Sequence, residues 1–197
     1  MPVVAKGEHH VFGLSLDDVA ALVGIKPGSE NRLSMDILIE RLDQVLAAAE
    51  RCPPQIPDTR MDDNIPDRDR SYRQLGHHIF IIADAFLAAA QGEVLSYESL
   101  ARTPPSGMRT GSDVAAFGVV IRKRVGDWPH DGGDDVMIAT YYGDQTLHQV
   151  LERTTWHAAQ HVRQLTSILE GLGIEPESRL TAVQLAGLPM PEMVWDD

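Results

Sequence analysis

The chain has 197 residues, 43% hydrophobic and 23% charged, with a formal net charge of −12. That length suits one domain with a small appendage, and the apolar content supports a packed core rather than a disordered chain. The acidic balance argues against a nucleic-acid partner or an anionic membrane surface. The single cysteine, Cys52, leaves neither a disulfide framework nor a paired redox motif. No signal-peptide pattern and no apolar run of transmembrane length is visible, so the cytoplasm is the expected location.

Residues 2–24 differ in character from the rest of the chain. Two β-prone runs, 2–5 and 9–13, flank Lys6-Gly7-Glu8 and predict a hairpin. Ser15 then caps a predicted helix over 16–23, with Asp17 and Asp18 in its first turn and Gly24 behind it. A ββα piece of this size cannot bury a core alone. It resembles the last ββα of a glutaredoxin domain, with Pro2 where a proline introduces the third strand and Gly13 where a glycine follows the fourth. The half of that fold carrying the cysteine motif is absent. The resemblance therefore implies packing or dimerisation, not thiol–disulfide exchange. This appendage is delimited as residues 1–25. His9 and His10, adjacent on a strand, point to opposite faces and make a poor pair of ligands.

A linker with proline and glycine leads into the second region, residues 31–197. Its first predicted helix runs over 34–51, capped by Ser34, with Leu38, Leu42, Val45, Leu46 and Ala49 on its inner side. Residues 53–68 are polar and proline-rich and predict a loop. A second helix spans 71–91, its buried stripe formed by Leu75, Ile79, Ile82 and Phe86. Residues 93–110 form a crossover, and a third helix over 112–125 turns Val114, Phe117, Ile121 and Val125 inward. Residues 136–142 are read as extended. The fourth and longest helix spans 146–170, where Thr146 and Gln149 form a capping-box pattern and Gly171 and Gly173 close the far end. A short helix over 181–186 and a proline-rich apolar tail, expected to wrap over the helices, complete the chain. The expected fold is all-α, a four-helix bundle with a small N-terminal ββα appendage.

The chemistry concentrates on the longest helix. His157 and His161 lie four apart, on the stripe Leu147, Val150, Thr154, His157, His161, Leu165. Buried imidazoles need partners, and a divalent metal satisfies two at once. The plainer reading is a pair of hydrogen-bonded core histidines. A third ligand decides for metal, because catalytic sites hold three protein ligands and leave a position open. His78 supplies it from the second helix, three residues after Leu75 and four before Ile82. His77 is offset by about 100° and is the competing choice. The expected ligand set is His78, His157 and His161, with Zn²⁺ or Ni²⁺ both suited to imidazole. Further candidates are Gln160 as a partner of a ligand or substrate or else a surface residue, and Arg163 as an anchor for a carboxylate or a partner of Glu170 or of another chain's acid. Tyr141 and Tyr142 are candidates for a cleft mouth or for simple packing, and Trp156 for packing. His130 and His148 are expected at the surface.

Leu75-Gly76-His77-His78-Ile79, followed downstream by His157-Ala158-Ala159-Gln160-His161-Val162-Arg163-Gln164, has the form L-x-x-H-h and then H-x-x-x-H-x-x-Q/R. In that order and over about residues 31–175, the chain resembles the DinB (YfiT-like) superfamily of four-helix proteins. The resemblance implies a divalent metal on three histidines. It also implies, for an enzyme, a thiol-dependent transferase or isomerase acting on a small-molecule substrate, with a low-molecular-weight thiol as a candidate co-substrate; a metal-bound hydroxide in its place would make a hydrolase. A metal lowers the pKa of bound water to about 7, which is how such a site makes a nucleophile at neutral pH. The alternatives are a non-catalytic metal-binding bundle and a dimeric binding bundle. A homodimer is expected, from the unpartnered ββα piece and the apolar tail.

Overall fold

The computed structural model describes residues 3–6, 9–12, 32–130, 133–177 and 179–195. The chain divides into two compact units, Met1–Leu33 and Ser34–Asp197. In the first, β1 (Val3–Lys6) and β2 (His9–Phe12) form an antiparallel hairpin, with Val3 opposite Phe12 and Lys6 opposite His9. The helix expected over 16–23 lies outside the described residues.

The second unit is mostly helical. Four long helices, α1 (Met35–Arg51), α2 (Tyr72–Ala90), α4 (Gly111–Gly126) and α5 (Leu147–Gly171), are joined by segments holding the short α3 (Tyr97–Leu100) and followed by the short α6 (Ala182–Leu185). Each of α1 and α2 packs chiefly against α4 and α5. Local chemistry fixes where the long helices start. The Ser34 hydroxyl accepts from the Ile37 amide, and Ser71 with Gln74, Thr110 with Asp113 and Thr146 with Gln149 form complete capping boxes. Each box satisfies two amides that the first turn leaves without partners. The box at Thr110 starts α4 at Gly111, one residue before the position that periodicity suggests. At the far end of α5 the Gly173 amide donates to the Glu170 carbonyl and the Ile174 amide to Leu169, with Gly173 at φ 75°.

The core is formed by the stripes read from the sequence: Leu38, Leu42, Val45 and Leu46 of α1, Leu75, Ile79 and Phe86 of α2, Val114 and Ile121 of α4, and Leu147, Val150 and Leu165 of α5. Phe117 is only half-buried, because its ring lies between His77 and Phe80 at the rim of this core. The segment after α1 is not plain loop. It makes two 3₁₀ turns, Pro53–Gln55 and Asp58–Arg60, and Pro53 packs against the start of α4. The extended stretch before α5 is shorter than expected. β3 (Met137–Ile138) pairs antiparallel with β4 (Gln145–Thr146), and β4 runs directly into the α5 cap. No helix among the described residues is long and apolar enough to cross a membrane.

Candidate metal centre

His78 stands near the start of α2, and His157 and His161 in the middle of α5, where these two helices pack together. The i, i+4 spacing brings the Nε2 atoms of His157 and His161 to 3.1 Å from each other. The His78 ring centroid lies 5.1 Å from that of His161 and 5.7 Å from that of His157, both edge-on. One nitrogen from each ring falls within 4.8 Å of the others, a combination not repeated by other His, Cys, Asp or Glu groups among the described residues. His77 takes no part. It turns toward α4, stacks on Phe117 at 5.2 Å and buries an Nδ1 that has no hydrogen-bond partner.

Electrostatics keep these rings neutral. Burial is the leading cause at each: it pushes His78 down to about 3, His161 to about 4 and His157 well below the ordinary imidazole value. Mutual repulsion among the rings and the nearby Arg70 act in the same direction at His78 and His157. A backbone contact with Leu100 of α3 opposes the shift at His78, and the hydrogen bond to Gln164 opposes it at His161. Neutral imidazole with a free lone pair is the form that ligates a metal.

Gln164 settles which nitrogen of His161 is free. Its Oε1 lies 2.7 Å from His161 Nδ1, while its Nε2 donates to the Val194 carbonyl at 3.1 Å. The amide oxygen therefore accepts from Nδ1–H, which leaves the lone pair on Nε2, facing His157. Two imidazole nitrogens on a tetrahedral Zn²⁺ stand about 3.3 Å apart, given Zn–N bonds of about 2.0–2.1 Å. The observed 3.1 Å fits that demand, and a three-imidazole donor set suits Zn²⁺ or Ni²⁺ equally.

The other candidates have structural duties. Gln160 does not reach a histidine; its Nε2 donates to the carbonyls of Met193 (3.1 Å) and Val194 (2.7 Å). Arg163 does not meet Glu170, which pairs with Arg179. It donates instead to Gln160, to the Pro191 carbonyl at 2.7 Å and to that of Glu192 at 3.1 Å. With Trp195 donating to Ser167 at 3.3 Å, these contacts lay the tail along one face of α5. Trp156 packs as expected, beneath the Arg153 guanidinium, which also covers Tyr142 at 4.9 Å. The Tyr142 hydroxyl is buried, so it is not at a cleft mouth. His148, expected at the surface, is buried at 2% exposure because the β3–β4 hairpin folds over the first turn of α5. His130 is exposed beside Asp36, at 3.3 Å.

His161 opens onto a cavity of about 370 Å³ whose walls include Arg68, Arg70, Leu75, Gln164 and Trp195. Three of these, Arg68, Arg70 and Trp195, are not singled out by sequence reasoning. Gln164 sits at the final position of the histidine motif, where its i+3 spacing from His161 is a usable signal. Arg70 and Trp195 come from segments without periodicity, and only the fold brings them to the site. No protein family, characterised protein or solved structure matches this chain.

Proposed function

We propose that this chain is a DinB-like four-helix bundle that holds a divalent metal on His78, His157 and His161 and acts as a metal-dependent enzyme of thiol-transfer or hydrolytic type. The observation that carries the reading is the convergence of three neutral imidazoles from two helices to within 4.8 Å. A Zn²⁺ or Ni²⁺ ion there would supply Lewis acidity and activate a coordinated nucleophile near neutral pH. The protein's own residues do the rest. Gln164 holds the His161 tautomer, the α2–α5 packing limits water around the rings, and the cavity beside His161 admits a small molecule. That opening favours a catalytic site over a purely structural one, which would be closed. A thiol partner would come from solution. The chain's single thiol, Cys52, is fully buried, and burial pushes its pKa up to about 11.

The test is the metal content of untagged protein, in wild type and in the His78→Ala, His161→Ala and His77→Ala variants. About one metal per chain is expected in wild type and in His77→Ala, with loss in the other two. An intact wild-type protein that neither carries metal nor takes up added Zn²⁺ or Ni²⁺ would sink the reading.

A further inference from the structure

We infer that the cavity beside the three histidines is built to receive a carboxylate on Arg70, so that the substrate of the proposed site is a small carboxylic acid in its anionic form. This rests on the metal-centre reading for its chemistry but on separate residues for its geometry.

Arg70 immediately precedes the cap of α2 and is partly buried. It lines the cavity with His161, Gln164 and Trp195, and it stands close enough to all three site histidines to disfavour their protonation. Among the described residues it has no ion-pair partner. That sets it apart from Arg60, Arg73, Arg102, Arg122, Arg124 and Arg179, each of which meets an Asp or Glu. Withdrawing a guanidinium from water without a counter-charge is unfavourable, and burial is the leading cause of the lowered pKa of Arg70. A bound anion would offset that cost, and the planar fork of an arginine matches the two oxygens of a carboxylate.

The charge balance favours a monoanion. Arg68 and Asp69 also line the cavity, and Arg68 lies over the Trp195 ring at 5.7 Å. With the histidines neutral, the Arg68–Asp69 pair of charges cancels and Arg70 is left over. Room for the rest of the molecule is adjacent. A second cavity of about 780 Å³ shares Ile65, Arg68 and Trp195 with the first and adds the apolar surfaces of Tyr72, Ile168 and Leu172.

The experiment uses full-length protein loaded with Co²⁺ as a spectroscopic stand-in. Mercapto-carboxylates of two to four carbons are titrated against the matching mercapto-alcohols, with the thiolate-to-cobalt absorption as the readout. At least one acid should bind about tenfold tighter than its alcohol, the advantage expected of one charge-assisted contact. In Arg70→Met that preference should fall below about twofold, and Arg70→Lys should keep part of it. An acid preference that survives intact in Arg70→Met would mean chelation by the metal alone and would overturn the inference. Equal affinity for acid and alcohol in wild type would overturn it while leaving the metal centre standing. If no Co²⁺ binds, the metal reading fails instead, and propionate is titrated into metal-free protein by calorimetry. Binding that is lost in Arg70→Met sustains the carboxylate site there, and its absence in wild type overturns it. Arg70→Met should melt no lower than wild type, since it removes a partly buried charge that has no ion-pair partner among the described residues.

Discussion

At the scale of single residues, the difference between His77 and His78 shows how a small angular step on a helix separates two roles. His78 faces α5 and joins the cluster, whereas His77, its neighbour in sequence, faces α4 and leaves Nδ1 buried without a partner. An unsatisfied buried polar atom costs about 1–3 kcal/mol. His77→Leu should therefore keep the wild-type metal content and show an equal or higher urea midpoint; a clear loss of metal would reassign the first ligand. Gln164 makes the complementary case. It does not touch the Nε2 that faces His157, yet it holds the His161 ring through Nδ1 and ties it to the tail through Val194. Loss of such an outer partner typically weakens metal affinity about 10–100-fold. Gln164→Leu is expected to show a weakening of that order in a Zn²⁺ competition titration, and Gln164→Glu, whose carboxylate still accepts from Nδ1–H, should recover most of it. Equal Zn²⁺ affinity in Gln164→Leu and wild type would show that the tautomer needs no such support.

At the scale of elements, the four long helices were legible because their apolar stripes and caps agree: Ser34, Ser71 and Thr146 start helices at the expected places, and the stripe residues of α1 and α2 are buried. The two helices that carry the histidine cluster were legible for the same reason, since histidines at stripe positions must face a partner helix. What escaped was set by contacts distant in sequence, such as the tail on α5, the hairpin over His148 and Arg70 at the cavity. Two glycines of α4 belong to this class. A glycine inside a helix ordinarily costs about 1 kcal/mol relative to alanine, so Gly118→Ala would be expected to stabilise. A Cβ there would instead lie 2.3 Å from the buried Phe80 ring, and at Gly111 it would lie 2.0 Å from the Pro53 carbonyl oxygen. Overpacking of a close-fitted core costs about 1–3 kcal/mol. Chemical denaturation should show both alanine variants destabilised, Gly111→Ala more severely, because backbone cannot swing aside as a ring can. An increase in stability for Gly118→Ala would mean that the α2–α4 contact is looser than these distances state.

At the scale of the whole molecule, acid stability joins the site to the fold. Burial lowers the pKa of four histidines: His77 and His161 to about 4, His78 to about 3, and His157 well below its ordinary value. In the unfolded chain each returns to about 6.5. Between about pH 6.5 and pH 4 the unfolded state therefore binds protons that the folded state refuses, and stability falls as pH falls through that window. Above about pH 6.5 both states are neutral at these rings and their stabilising contribution is fully present. Each such ring adds a slope of up to about 1.4 kcal/mol per pH unit. The three clustered rings repel one another once charged, so their protons enter as a coupled set rather than one by one. Metal-free protein, kept so by a chelator, should hold a constant urea midpoint from pH 8 to pH 7 and lose it steeply toward pH 5. His77→Leu should remove about one ring's share of that slope. Added Zn²⁺ should raise the midpoint by a similar amount from pH 8 to pH 5 and lose its effect only as the pH approaches 4, because the folded histidines stay unprotonated down to that point. A urea midpoint that is flat from pH 7 to pH 5 in the absence of metal would show that these imidazoles are solvated in the native state, which would remove the physical basis for reading them as a neutral ligand set.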